Sequence, residues 1–187
     1  MRKLNILEMN RISVEQYKQA VKTPLVVVLD DVRSTYNVGS VFRTADAFRI
    51  ERICLCGITP RPPHPEIHKT ALGAELSVDW TYHADTLQAI EQLKTEGYTI
   101  YAVEQAEGSI MLDRFPDNEQ TARCAIILGN EVKGVRQDVI DQCDACIEIP
   151  QYGTKHSLNV STTAGIVMWD MMVRMKQNND FSHIKRK

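Results

Sequence analysis

The sequence has no apolar run long enough to span a bilayer. The short apolar patch in "MRKLNILEMNR" is interrupted by Glu8, so neither a membrane helix nor a secretory leader is expected, and the cytoplasm is the default location. Charge of one sign is also missing. Lys and Arg number 22 against 24 Asp and Glu, a net charge of -2, which excludes holding a polyanion by bulk charge and requires a local patch. Candidates are Arg2, Lys3 and Arg11, then Arg49, Arg52, Arg61 and Lys69, and finally Lys185, Arg186 and Lys187. The five cysteines are an odd number, which argues against a disulfide framework. Cys143 and Cys146 have redox or zinc spacing but no second pair to complete a site, while Cys54 and Cys56 alternate like small core residues. No repeat, low-complexity tract or Gly/Ser linker divides the chain, so one domain is expected. The dinucleotide fingerprint G-x-G-x-x-G and the P-loop are absent as well.

What is present alternates. "LVVVL" (25–29) is continuous and β-branched, as in a strand buried on both faces. A helical pattern follows from Val38 to Arg49, then a strand in "RICLCGI" and a proline-punctuated loop in "TPRPPHPEIH". "SVDWTY", "YTIYAVEQ", "RCAIILGNE" and "ACIEIP" read as further strands. Helices are expected after Asp85, with Gly97 as a stop, in "RQDVIDQC", and from Leu158 to about Lys176. The fold class is therefore α/β, a mostly parallel sheet with helices on both faces. Residues 1–22 read as a helical extension with Ser13 as its N-cap, 23–177 as the main domain and 178–187 as a basic tail. In such sheets ligands sit beyond the carboxyl ends of the strands, which directs attention to the segments after Leu29, Val103, Leu128 and Ile149.

Three of those segments carry polar residues in unusual arrangements. In "NVGSVFRTADAF", a 100° periodicity puts Val38, Val41, Phe42, Ala45 and Phe48 on one face, and Asn37, Ser40, Arg43 and Thr44 on the other. Alone, Arg43 reads as a surface ion pair to Asp46 or Asp30 rather than as a functional group. In "ILGNEVKGV", Gly129 would let backbone approach a ligand, Gly134 would permit a turn at positive φ, and Glu131 could accept hydrogen bonds from Arg43 or a substrate. In "IEIPQYGTKHSLNVSTTAGI", Ser157 and Asn159 stand near a helix N-terminus, and Ser157 is also an ordinary N-cap.

Taken in order, N-V-G-S-x-x-R-T-A, L-G-N-E-x-x-G and I-P-x-x-G-x-x-x-S-L-N-V-S resemble the three motifs of the SpoU (TrmH) family, RNA 2′-O-methyltransferases of the SPOUT class. The resemblance covers about residues 24–175. "HPEIHKTALGAE", "TEGYTIYAVEQ" and "DACIEIPQYG" are similar to tRNA guanosine-2′-O-methyltransferase catalytic domains acting on the D-loop. The resemblance implies a C-terminal deep trefoil knot and S-adenosylmethionine held in bent form by the turns after three strands. It implies cofactor contacts at Gln105, Leu128, Gly129, Ile149, Pro150, Gly153 and Leu158, and catalytic roles for Arg43, Asn37, Glu131, Ser157 and Asn159. It also implies a homodimer sharing its active sites, an RNA substrate, tRNA before ribosomal RNA, and no metal. The last helix fits the dimer, or else a plain central core helix: Ile166, Val167, Met168, Trp169, Met171, Met172, Val173 and Met175 make it apolar on nearly every side.

The implied reaction is attack of a ribose 2′-hydroxyl on the cofactor methyl. A free guanidinium is a poor base, since its pKa exceeds about 12 and it has no acceptor when charged. Arg43 then either loses its proton as a unit with an RNA phosphate, Asn37 and Ser157, or clamps the phosphate while another group or water takes the proton. Tyr152, Lys155 and His156 are candidate RNA contacts. His64 and His68 are four apart, but Pro62, Pro63 and Pro65 argue against one helix face presenting both. A non-catalytic RNA-binding homologue and a plain nucleotide-binding domain are the rival readings.

Overall fold

A computed structural model of the chain describes residues 1–5, 7–116 and 122–178. The expected basic tail thus falls almost wholly outside the described residues. Seven strands make one sheet in the order β3-β2-β1-β6-β4-β7-β5, with every pairing parallel. The strands are β1 (Thr23–Asp30), β2 (Ile50–Cys56), β3 (Asp79–His83), β4 (Thr99–Val103), β5 (Ile110–Met111), β6 (Cys124–Leu128) and β7 (Ala145–Glu148). The helices are α1 (Val14–Gln19), α2 (Thr35–Ala47), α3 (Pro65–Ala71), α4 (Ala74–Ser77), α5 (Thr86–Thr95), α6 (Gln137–Ile140) and α7 (Val160–Asn178).

Both faces of the sheet are covered, which is why β1 reads as an unbroken apolar run. Leu25, Val27 and Leu29 pack with α2, α3 and α7, whereas Val26 and Val28 pack with α5 and α6. On the first face Phe42, Val38, Val41 and Ala45 of α2 meet Met168, Met171 and Met175 of α7. Burying a side chain such as Phe42 contributes about 2–3 kcal/mol. Cys54 and Cys56 serve the second face as buried thiols; burial pushes the pKa of both upward, and that of Cys143 to about 12, so these thiols stay neutral.

The order of the strands has one consequence for the site. β7 lies between β4 and β5, so the connection 104–109 steps across β7. The chain leaving β7 and the turn leaving β4 are therefore neighbours at one end of the sheet.

Three local expectations are corrected. "PEIHKTA" is a helix rather than loop: Pro65 occupies its first turn, where a missing N–H costs nothing, and the His64 ring nitrogen caps it by accepting from the Glu66 N–H at 3.2 Å. His68, four residues on, pairs instead with Glu75. The last helix starts at Val160, later than expected, and Asn159 rather than Ser157 caps it. The Asn159 side-chain oxygen Oδ1 accepts from the N–H groups of Ser161 at 2.9 Å and Thr162 at 3.4 Å. β5 and α4 are too short to leave a periodic signal.

Candidate active site

Because the strands are parallel, their carboxyl ends share one edge of the molecule. There a cavity of about 1170 Å³ lies between the turns after β4, β6 and β7 and the start of α7. Of the residues expected to hold a cofactor, Gln105, Leu128, Gly129, Ile149 and Leu158 line it; so do Glu131, Ser157 and Asn159. Pro150 and Gly153 do not line it, and open space surrounds Gly153, so no steric need for glycine is visible there.

The turn after β6 is built from the inside. Asn130 and Gly134 exchange two backbone hydrogen bonds, of 3.0 and 2.8 Å, and Gly134 takes φ +68° to close the loop. A Cβ on Gly129 would sit 2.1 Å from the Gly134 carbonyl carbon and from the Val135 nitrogen. The close approach at Gly129 is to the chain's own backbone, so the turn itself requires glycine at this cavity-lining position. Asn130 completes the turn. Its amide donates to the Asp31 carbonyl at 2.7 Å, and its side-chain oxygen accepts from the Val132 and Lys133 N–H groups. Gly39 of the first motif has a similar explanation: a Cβ there would meet the Ile67 carbonyl oxygen at 2.4 Å, so it exists to let α3 lie against α2.

Glu131 then links the three motifs. Its carboxylate accepts from the N–H groups of Arg33 and Ser34, each at 3.0 Å, and from the Asn37 amide at 2.9 Å. The Asn37 side-chain oxygen Oδ1 in turn accepts from the Asn159 side-chain amide at 3.1 Å, while Asn159 caps α7. Each amide is oriented by its neighbour, from a carboxylate at one end to a helix N-terminus at the other. Partial burial pushes the Glu131 pKa upward, but the hydrogen bonds from the Arg33 N–H, the Asn37 amide and the Ser34 N–H outweigh it. The carboxyl is held below its usual range. Glu131 is thus a fixed anion with its oxygens engaged, poorly suited to take a proton at neutral pH.

Arg43 stands apart from this network. It lies on the exposed face of α2, does not line the cavity, and has no ion-pair or hydrogen-bond partner among the described residues. The ion pairs considered for it are not formed: Asp46 accepts from the Ser77 hydroxyl, and Asp30 from the Thr86 hydroxyl and the Arg136 N–H. Within the chain, Glu131 makes no hydrogen bond to it, its oxygens being taken by Arg33, Ser34 and Asn37.

The opposite wall, residues 151–159, is exposed throughout. Between Gln151 and Leu158 the only backbone group engaged among the described residues is the His156 carbonyl, which accepts from the Gln105 amide. The remaining N–H and C=O groups are free to read a ligand. Apolar Val103, Leu128, Ile147 and Ile149 provide a floor for an adenine-sized ring. A nucleoside-like cofactor fits such a site. Among the described residues, no group of three His, Cys, Asp or Glu side chains is placed to hold a metal ion.

The profile of the SpoU rRNA Methylase family matches residues 24–169, and the chain belongs to that family. It is 29% identical over 146 residues to the 23S rRNA (guanosine-2′-O-)-methyltransferase RlmB of Neisseria meningitidis, covering 78% of this chain and 56% of that protein. It is 28% identical over 163 residues to the tRNA (guanosine(18)-2′-O)-methyltransferase of Thermus thermophilus, covering 87% of this chain and 81% of that one. The AdoMet-bound rRNA methyltransferase of Sinorhizobium meliloti superposes with a TM-score of 0.74 at 25% identity, covering 91% of this chain and 61% of that structure. The mostly parallel α/β architecture is thus that of the methyltransferases to which the motifs pointed. The chain spans little more than half the length of the Neisseria relative.

Proposed function

We propose that this protein transfers a methyl group from S-adenosylmethionine to a ribose 2′-hydroxyl of RNA, with tRNA as the substrate, acting as a homodimer in the cytoplasm. The observation that carries the reading is the Glu131–Asn37–Asn159 relay, which brings the three motifs to the lip of one cavity. The bound cofactor supplies an electrophilic methyl group and leaves as a neutral thioether. Gln105, Leu128, Gly129, Ile149 and Leu158 hold it, with Pro150 and Gly153 shaping the loop that closes on it. Ser157 and Asn159 face the incoming ribose.

Arg43 fixes the phosphate next to the target ribose with its planar fork, placing the hydroxyl in line, and water or a neighbouring group takes the proton. The engaged, acidified Glu131 favours this clamp over a carboxylate base. Arg43 lies outside its own cavity, on α2, whose Thr44 and C-cap Phe48 adjoin Gly165 and Trp169 of α7, and α7 leaves Ile166 (38% exposed) and Trp169 (55%) uncovered. Buried inside the chain on its other sides, α7 leaves this stripe for a second copy, whose cavity Arg43 would complete. Coverage of the tRNA relative over 81% of its length, against 56% for the ribosomal one, favours tRNA. The knot expected from the family is part of this reading, supported by the 104–109 connection stepping across β7.

Labelled S-adenosylmethionine, incubated with tRNA and ribosomal RNA from cells lacking the gene, should give ribose methylation mapped to one tRNA position. Absence of label in either RNA, together with no cofactor binding by calorimetry, would overturn the proposal.

A further inference from the structure

The sheet's other half offers a surface the proposed reaction does not use. At the carboxyl end of β2 and β3, the Arg61 guanidinium stacks over the Tyr82 ring, 4.1 Å from its centroid. Tyr82 is 42% exposed and the neighbouring Ile58 65%. Arg61 has no carboxylate partner among the described residues, so its outer face and its N–H donors remain open.

This surface is fixed relative to the active site. The Tyr82 hydroxyl donates to the Gly57 carbonyl at 3.2 Å, and the Ile58 N–H donates to the Asp31 carboxylate at 2.9 Å. The Asp31 carbonyl accepts from Asn130, the residue before Glu131. Pro60, Pro62 and Pro63 flank Arg61 and narrow the loop's conformations. Three strand spacings separate β3 from β6, about 14 Å. An RNA strand whose target ribose sits at the cavity would pass this surface within a few nucleotides.

We propose that Arg61, Tyr82 and Ile58 form a second RNA contact, a cationic stacking platform for one unpaired base and its phosphate flanking the methylated nucleotide. An arginine plane already backed by an aromatic ring offers a base both a π surface and a charge. The inference rests on the proposed RNA methyltransferase activity.

The test compares Arg61→Ala, Tyr82→Ala and a charge control, Lys94→Ala, whose exposed lysine lies in the last turn of α5 at the opposite end of the strands. Unfractionated tRNA is titrated at two salt concentrations, and methyl transfer is measured over a range of tRNA concentrations. Arg61→Ala and Tyr82→Ala should each raise Kd and KM about tenfold, leaving kcat at saturating tRNA and the melting temperature near wild type. Arg61→Ala should also lower the slope of log affinity against log salt by about 0.7, the loss of one phosphate contact. Lys94→Ala should change none of these. Unchanged KM and salt slope in Arg61→Ala, with an active wild type, would overturn the platform alone. An inactive wild type that still binds tRNA through Arg61 would overturn the activity and leave the platform standing.

Discussion

Where residues 129–135 turn back on themselves, Asn130, Glu131 and Glu104 engage one backbone N–H after another: Val132 and Lys133, Arg33 and Ser34, Gln105 and Val135. Across the cavity, residues 151–159 stand exposed, held by the Gln105 bond to His156 and by Asn159 at the head of α7. Both walls border one cavity. The first is over-determined by contacts within the chain, so it can hold one geometry with or without a ligand. The second keeps its backbone groups unspent, so a cofactor can order it on binding.

The sharpest way to break that comparison uses a residue in neither wall. Arg43→Ala should abolish methyl transfer, a loss of about a thousandfold, with cofactor affinity intact. Arg43→Lys should recover little, because the fork geometry is lost; full activity in the lysine variant, measured by label incorporation, would refute the clamp. In the rigid wall, Gly129→Ala should cost about 3 kcal/mol, since the new Cβ meets backbone rather than a movable side chain. Thermal unfolding reads this directly.

Glu131→Gln should cost about 1 kcal/mol by weakening solvent-screened, charge-assisted bonds to Arg33, Ser34 and Asn37. The pH dependence follows with a definite sign. A carboxyl held below its ordinary value stabilises the fold above that value, near 4.5, and loses the contribution as pH falls through the folded-state value. The wild type should therefore lose its margin over Glu131→Gln as pH drops below about 4.5, checked by melting curves at several pH values. In the loose wall, Gln105→Ala should lower stability by less than about 1 kcal/mol. It should speed amide exchange in 151–158 and weaken cofactor binding severalfold, with a smaller effect on RNA affinity.

Legibility in the sequence followed the range of the interaction. β1 could be read because alternate residues serve two covered faces, and α5 because Asp85 caps it by accepting from the Leu87 N–H and Gly97 ends it. α3 is not legible in the sequence because Pro65 breaks a helix interior yet suits a first turn, and nothing local distinguishes the two. Asn130, Glu104 and Asp31 carry no distinctive signal, because polar residues after a strand look like ordinary turn punctuation. Only their partners reveal what they hold.

Composition, periodicity and motif order were enough to determine an α/β sheet, a reduced-thiol interior and the three segments that matter, since each is written in neighbours along the chain. The folded arrangement alone decided that Asn37 bridges Glu131 and Asn159, residues 94 and 122 positions away. It also decided that Gly129 accommodates the chain's own turn and that Arg43 does not line the cavity. Such contacts depend on the order in which strands take their places in the sheet, and no local pattern encodes that order.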